Sequence, residues 1–180
     1  LLVEALVVGA VLVAVALGQE RAGLEVGRRL TEVARHGGLG LESWSADQAH
    51  DLVVYDNFIH DNADYLATYD QDCHGIHVGK NVDHVWIVDN EMTRNSGDGL
   101  QINAGTLADQ PRTHHIYVGR NVSHRNKQSG MWTKQAVDVV FSNFSCDYPV
   151  GGTVTFLAPT ITSISDNVIE TLTPAALTIT

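Results

Sequence analysis

Short segments of the chain alternate between apolar and variable residues, and one such segment recurs with a leading glycine. It occurs as Gly40-Leu41-Glu42-Ser43, Gly75-Ile76-His77-Val78, Gly99-Leu100-Gln101-Ile102 and Gly130-Met131-Trp132-Thr133. Apolar residues at every second position are typical of a β-strand with one buried face. The pattern therefore predicts recurring strands whose inward residues are Leu41, Ile76, Leu100 and Met131.

A second alternating segment follows each of these and ends in asparagine. The asparagines are Asn57, Asn90, Asn121, Asn143 and Asn167, spaced 33, 31, 22 and 24 residues apart. Asparagine accepts the left-handed backbone of a sharp bend, and stacked asparagines can hydrogen-bond between successive repeats. We therefore expect the five to form one column at the bend after the second strand.

The distance from asparagine to the glycine that begins the next first-strand segment is nine residues both from Asn90 to Gly99 and from Asn121 to Gly130, and elsewhere loops are inserted. Loop insertions on a fixed strand period are typical of solenoids. Over roughly residues 23–180 the sequence resembles the pectate-lyase-like superfamily. That resemblance implies an all-β fold, a right-handed parallel β-helix of about six to seven turns.

We expect one domain over residues 1–180: an apolar segment at 1–22, regular turns at 23–152, and final turns or a cap at 153–180. The valines and small residues of segment 1–18 favour buried strands, although the segment is near the minimum length of a membrane helix. Its single Glu4 also resembles the start of a type IV pilin, which would make the chain a filament subunit. Open solenoid ends favour self-association.

The charge balance excludes one class of partner. Twenty-one acidic and 11 basic residues give a net charge of −10. Nucleic-acid binding needs a basic face, so we expect no nucleic-acid partner, and we do not expect a membrane partner. The acidity fits an extracellular or cell-surface location. Nine histidines are present without an HExxH or Cys-His spacing.

The outward positions of the first strand, and those just before it, collect residues suited to binding and catalysis. Tryptophans offer flat surfaces for sugar rings, amides and acids can hold hydroxyl groups, and an imidazole is a general base near neutral pH. The substrate-binding candidates are Glu42, Trp44, His74, Gln101, Asn103 and Trp132. The catalytic candidates are His77, Lys134, Asp98 and, from the loop before Gly75, Tyr69. An inert polar wall remains the alternative.

The resemblance implies a secreted protein that acts on an acidic, uronate-containing polysaccharide by β-elimination or C5 epimerisation. His77 or Lys134 would be the base and Tyr69 the acid. Carboxylate oxygens suit Ca²⁺, and the candidate ligands are Asp70, Asp72 and Asp98. The segment from Tyr69 to His74 resembles an Asp-x-His motif of uronan epimerases. Whether the chain is an enzyme stays open, because a hydrolase using paired aspartates and a non-catalytic surface, adhesin or fibre solenoid also fit the sequence.

Overall fold

The computed structural model describes the backbone of residues 12–13, 24–26, 33–34, 38–44, 46–67, 72–143, 145–147, 154–157, 161–165, 168–170 and 177–179, and the side chains of 38–44, 46–67, 72–143 and 145. Over these residues the fold is all-β, with one short 3-10 helix at Gln110–Arg112. Every strand pairing in this part of the chain is parallel. No helix among the described residues is long and apolar enough to cross a membrane.

The described strands form three parallel sheets, because each strand pairs with the strands three before and three after it. Sheet A contains Leu12–Val13 (β1), Leu39–Leu41 (β4), Ile76–Val78 (β7), Leu100–Asn103 (β10), Met131–Lys134 (β13), Val154–Leu157 (β16) and Leu177–Ile179 (β19). Sheet B contains Leu24–Val26 (β2), Ala49–Tyr55 (β5), Val82–Val88 (β8), His114–Gly119 (β11), Val137–Ser142 (β14) and Ile161–Ser165 (β17). Sheet C contains Val33–Ala34 (β3), Phe58–His60 (β6), Glu91–Thr93 (β9), Val122–His124 (β12), Ser145–Asp147 (β15) and Val168–Glu170 (β18).

Inward side chains from successive repeats stack into apolar columns that form the core. The members of two such columns are all at most 1 % exposed. Since side chains on one face of a strand recur every second residue, a register that aligns these positions buries them together. The sheet A column is Leu39, Ile76, Leu100 and Met131, and the sheet B column is Leu52, Val85, Ile116 and Val139.

Each repeat contains three strands, whereas the sequence pattern predicts two. The strand missed is the one in sheet C, which is only three residues long in β6, β9 and β12. Each of these three strands contains at most one buried apolar residue, such as Ile59 in β6 or Met92 in β9. One apolar residue gives no alternation to detect.

The asparagine column is confirmed for its first three members. Asn57 Nδ2 donates to Asn90 Oδ1 at 2.9 Å, and Asn90 Nδ2 donates to Asn121 Oδ1 at 2.9 Å. The left-handed backbone falls on the residue before each asparagine, with φ of 55° at Asp56 and 57° at Asp89. The asparagine is therefore free to point inward, and its main role here is satisfying buried backbone groups.

Asn143 was predicted to belong to this column, and that prediction is wrong. Gly119 opposes Ser142 and Val122 opposes Ser145, so Asn143 occupies the position equivalent to Arg120. Both residues have left-handed φ values, 50° and 53°. Asn143 therefore lies at the corner, where its side chain is exposed. Asn167 lies outside the described residues.

A second asparagine column, which the sequence analysis missed, lies at the bend after sheet C. Asn62 Nδ2 donates to Asn95 Oδ1 at 2.7 Å, and Asn95 Nδ2 donates to Asn126 Oδ1 at 2.8 Å. All three residues are at most 4 % exposed. The spacing was visible in the sequence, since these asparagines follow the first three by five residues each.

Exposed ion pairs connect corner residues of adjacent repeats. Arg120 donates to both carboxylate oxygens of Asp89, at 2.7 Å and 2.6 Å. Arg94 makes the equivalent two contacts with Asp61, and its guanidinium holds the pKa of Asp61 down to about 2. These pairs lie outside the asparagine columns, where solvent screens them.

Candidate functional site

The outward face of sheet A brings together polar and aromatic residues selected from the sequence. One column contains His77, Gln101 and Trp132, which oppose one another on β7, β10 and β13. In the next column Asn103 opposes Lys134. Neighbouring strands lie about 4.8 Å apart, so side chains in these columns are within reach of a single ligand. We call this surface, together with the corners that precede β7 and β10, the sheet A face.

A buried polar network fixes the corners of the sheet A face. The Asp98 backbone amide donates to His74 Nδ1 at 3.0 Å, while the Asp98 carboxylate accepts from Gln101 Nε2 at 3.1 Å and from the Ser129 amide at 2.9 Å. Because His74 Nδ1 accepts, the neutral ring has its proton on Nε2, which lies 3.4 Å from Asp72 Oδ1. The backbone amide and both carboxylate oxygens of Asp98 are therefore occupied by hydrogen bonds within the protein.

Three candidates are less accessible than the sequence predicts. His74, Asp98 and Gln101 were assigned to an outward surface, but they are 7 %, 0 % and 4 % exposed. They point away from the apolar core and are covered by their neighbours at the corner. Asn103, for example, lies with Nδ2 3.5 Å from Gln101 Oε1. Buried, hydrogen-bonded side chains of this kind can hold neighbouring residues in position, but they have little contact with solvent.

His77 is the half-buried titratable group at the centre of this face. Burial is the largest cause that lowers its pKa, and protonation of His74, whose ring centroid lies 5.7 Å away, would lower the pKa of His77 further. Glu42, Asp72 and Asp98 oppose that shift. A lowered pKa favours the free-base form of His77 at neutral pH, and this is the form that accepts a proton.

Space for a ligand lies beside His77. The residue that opposes it on β4 is Gly40, and a Cβ added there would meet no atom within 4 Å. A missing side chain on an otherwise occupied column leaves a recess. The imidazole can therefore be approached from the β4 side of the sheet.

Two lysine–tryptophan pairs flank the sheet A face. Lys134 Nζ lies 4.3 Å from the ring centroid of Trp132, and Lys80 Nζ lies 3.9 Å from that of Trp44. Trp44 is 75 % exposed. A flat ring beside an ammonium group matches a sugar ring that carries a carboxylate. Lys80 is not among the residues that the sequence analysis selects, although it lies only three residues after His77.

Glu42 does not occupy the predicted position. Aligning the glycine-led segments places Glu42 opposite His77, and this register is wrong by two residues because Gly40 opposes His77. Residues 37–41 read Gly-Gly-Leu-Gly-Leu, so the glycine-led pattern fits in two frames that are two residues apart and leave the leucines on the same face. Both leucines are buried in the observed pairing. Glu42 instead lies beside Gly79, where an added Cβ would be 2.7 Å from Glu42 Oε2.

The carboxylates proposed as Ca²⁺ ligands do not assemble a site in the described part of the chain. Ca²⁺ takes about six to eight oxygen ligands. Both oxygens of Asp98 accept hydrogen bonds inside the protein, and Asp72 is exposed. No group of three histidine, cysteine, aspartate or glutamate side chains among the described residues converges on one point. Tyr69 and Asp70 lie outside the described residues.

Comparison of the chain with protein-family models, with curated proteins and with solved structures gave no match.

Proposed function

We propose that the chain is a right-handed parallel β-helix that binds an acidic, uronate-containing polysaccharide on the sheet A face and acts on it by β-elimination or C5 epimerisation. The three parallel sheets, visited in a fixed order, support the solenoid, since a coiling chain pairs each strand with its equivalent in the next coil. The observation that carries the activity is His77: an imidazole of lowered pKa beside open space, in a face that also holds amides, tryptophan and lysine.

The proposed reaction begins with proton transfer to a ring nitrogen of His77. The proton comes from the sugar carbon that bears the carboxylate, and the electron pair left behind moves toward the carboxyl group. In elimination this pair forms a carbon–carbon double bond, and the glycosidic bond at the β carbon breaks. In epimerisation the carbon instead regains a proton on its opposite face. The imidazole accepts a proton at neutral pH because burial disfavours its charged form.

Removing a proton beside a carboxylate requires that its negative charge be neutralised. Lys134 and Asn103 oppose each other next to the column of His77, so an ammonium and an amide can both meet the substrate carboxylate there. Local cations are needed because the chain as a whole has a net charge of −10. We assign the acid that protonates the departing oxygen to Tyr69, which the sequence places in the loop before β7.

The test is a panel of uronate polysaccharides incubated with the whole chain, with added Ca²⁺ and with a chelator. Elimination produces an unsaturated uronate that absorbs in the ultraviolet. Epimerisation in deuterated water exchanges the proton at the reacting carbon without chain cleavage, and proton NMR detects that exchange. Product formed by either route supports the proposal. Loss of product when the chelator is added would indicate that Ca²⁺ takes part in the reaction.

The second candidate function is a non-catalytic surface, adhesin or fibre solenoid. The observation that favours it is the internal use of polar groups: His74, Asp98 and Gln101 hydrogen-bond to each other rather than toward a ligand. Binding of a polysaccharide without any product, measured by isothermal titration calorimetry, would favour this function. The hydrolase alternative loses support because Asp98 is fully buried.

A further inference from the structure

The outward side of sheet B carries a strip of apolar and aromatic side chains, which we call the aromatic strip. Its first row, whose members oppose one another on β5, β8, β11 and β14, consists of Val53, Trp86, Tyr117 and Val140. Its second row contains Tyr55 and Val88, which oppose each other two residues further along β5 and β8. Trp86 and Tyr55 are exposed, and the other members are half-buried. Contiguous apolar groups on a protein surface mark docking surfaces.

The ring of Tyr117 joins the two rows of the aromatic strip. It lies over Gly119 of its own strand, where an added Cβ would be 2.4 Å from Tyr117 Cε1 and 2.6 Å from the hydroxyl oxygen. Gly119 opposes Val88, so the ring extends from the first row into the second. Glycine permits this close approach because it has no side chain. The strip therefore offers flat ring surface over two rows and three strands.

Aspartates and histidines border the aromatic strip at the start of the same strands. One row of this acidic border has left-handed φ values of 56°, 48°, 53° and 55°, at Asp51, His84, His115 and Asp138. A left-handed residue inside a strand locally breaks the two-residue alternation, so it and the residue before it both face outward. The residues before it are His50, Asp83, His114 and Val137. The ring centroids of His84 and Trp86 are 6.3 Å apart, so the border directly adjoins the strip.

The acidic border is negatively charged when its histidines are neutral. Its three aspartates each contact an imidazole: Asp51 contacts His50 at 2.9 Å, Asp83 contacts His84 at 3.1 Å, and Asp138 contacts His115 at 3.3 Å. The two arginines that flank β11 already have acceptors. Arg120 donates to Asp89, and Arg112 donates to the carbonyl of Ala46. Aromatic rings beside carboxylates therefore form the outward surface of sheet B.

We propose that the aromatic strip and its acidic border, together called the sheet B face, dock an extended peptide segment rich in arginine and lysine from a partner protein. A guanidinium or ammonium group binds to the face of Trp86 or Tyr117 and pairs with the carboxylates of the border. The aliphatic stems of the same side chains cover the valines. Four strands about 4.8 Å apart give a row of about 14 Å, which matches about four residues of extended peptide.

Charge favours this partner over two others. A second copy of the chain would bring a further net charge of −10 against the acidic border. A uronate polymer would place its carboxylates beside Asp51, Asp83 and Asp138, whereas the sheet A face offers it lysines. The two faces therefore suit ligands of opposite charge, and the docking of a basic peptide does not depend on the proposed function.

The experiment is a fluorescence anisotropy titration of fluorescein-labelled hexaarginine with the whole chain at neutral pH and low salt. Trp86→Ala should weaken binding about fivefold through loss of the cation–ring contact. The double variant Asp51→Asn, Asp138→Asn should weaken it by a similar factor, and asparagine accepts the left-handed backbone at both positions. Circular dichroism melting identifies any variant that fails to fold.

Two controls match these changes in kind. Trp44→Ala removes an exposed tryptophan outside the sheet B face. The double variant Asp64→Asn, Glu91→Gln removes two carboxylates from exposed residues elsewhere, so it lowers the net charge equally. Both controls should keep the wild-type affinity to within about twofold, because the contacts of the sheet B face stay intact.

Binding should also weaken as the pH falls. The border contains four histidines and three aspartates, and its other charged neighbours are Asp56 and the Asp89–Arg120 pair at the far ends of the strands, with Glu25 opposite Val53 on β2. Protonation of the imidazoles offsets the negative charge of the aspartates. Between pH about 7.5 and about 5.5 the affinity for hexaarginine should fall at least about fivefold, measured where circular dichroism shows a folded chain.

Several outcomes would overturn the proposal. These are no saturable binding by the wild type, full affinity in folded Trp86→Ala, an affinity that does not change with pH, and an equal loss in the Asp64→Asn, Glu91→Gln control. The last would show that hexaarginine responds only to net charge. Sedimentation equilibrium without peptide tests the second copy: we expect Trp86→Ala to leave the association state unchanged, and a wild-type dimer that this variant dissociates would assign the face to self-association instead.

Discussion

The side-chain amide of Asn90 donates to the side-chain oxygen of Asn121 at 2.9 Å, in a position where both residues are at most 1 % exposed. The same amide also contacts the carbonyls of Val54 and Val88. One asparagine therefore satisfies backbone groups in two repeats and passes a hydrogen bond to a third. Since a buried polar group without a partner is costly, this column stabilises one strand register over the others.

Replacing Asn90 with alanine should therefore destabilise the fold strongly. Asn90→Ala removes the amide oxygen that accepts from Asn57 N and Nδ2, and the amide group that donates to Asn121 Oδ1 and to the carbonyls of Val54 and Val88. We expect the free energy of unfolding to fall by about 3 kcal/mol, measured by urea denaturation.

Asn143→Ala is the control for that measurement. Asn143 is exposed at a left-handed corner, so its replacement should cost only about 1 kcal/mol, from backbone strain. Equal losses for Asn90→Ala and Asn143→Ala would contradict the assignment of Asn143 to the corner rather than to the column.

Replacing glycine with alanine should lower the stability of the fold at one position of sheet A and leave it nearly unchanged at another. A Cβ at Gly75 would lie 2.6 Å from the Gly99 carbonyl oxygen, whereas a Cβ at Gly40 meets nothing within 4 Å. Gly75→Ala should lower the free energy of unfolding by about 2 kcal/mol, and Gly40→Ala should change it by less than about 0.5 kcal/mol. Thermal melting of both variants checks this, and a large loss for Gly40→Ala would indicate that Gly40 and Gly75 are equivalent after all.

The alternation of apolar residues predicts the strands of sheets A and B, because strands such as β5, β7 and β8 bury apolar residues at every second position over part of their length. The column from Asn57 to Asn121 is likewise predictable from spacing. The sheet C strands are not predictable from alternation, because each contains at most one buried apolar residue, whereas the equally short β4 and β7 of sheet A bury both of their outer residues.

The site was harder to predict from the sequence than the strands. The repeated Gly-Leu of residues 37–41 fits two frames that are two residues apart and place Leu39 and Leu41 on the same face, so the pairing of β4 with β7, a tertiary effect, decides the position of Glu42. The burial of Asp98 and Gln101 depends on hydrogen bonds between repeats. The histidine and aspartate pairs within the sheet B strands have a sequence signal, since His50-Asp51, Asp83-His84 and His114-His115 each directly precede an inward residue of that sheet.

Lowered histidine pKa values make folding stability depend on pH. The pKa values of His77 and His114 lie below their ordinary value of 6.5 in the folded protein. As the pH falls through 6.5 the unfolded chain takes up these protons first, so stability is lost from there down to the folded pKa values. Urea denaturation between pH about 8 and about 5 should show this loss, and the double variant His77→Gln, His114→Gln should show less of it. An unchanged pH slope in that variant would contradict the assignment.

Polysaccharide binding should depend on the tryptophan–lysine pair of β13. Trp132→Ala should weaken binding about tenfold through loss of ring stacking, and Lys134→Gln should weaken it several-fold and reduce its salt dependence. Calorimetry with the polysaccharide that gives product measures both. Trp86→Ala changes a tryptophan that is 39 % exposed on sheet B and should bind normally. Equal weakening by Trp86→Ala would place the binding surface elsewhere.

The most direct test of the proposed function is the initial rate of uronate product formation by the wild type and by His77→Gln on the same polysaccharide. We expect the variant to lose at least about a hundredfold in rate while it still binds the substrate, because general-base catalysis contributes on that scale. His124→Gln, which changes a histidine on sheet C, should keep the wild-type rate. A folded His77→Gln variant that forms product as fast as the wild type would contradict the role of His77 and with it the proposed reaction.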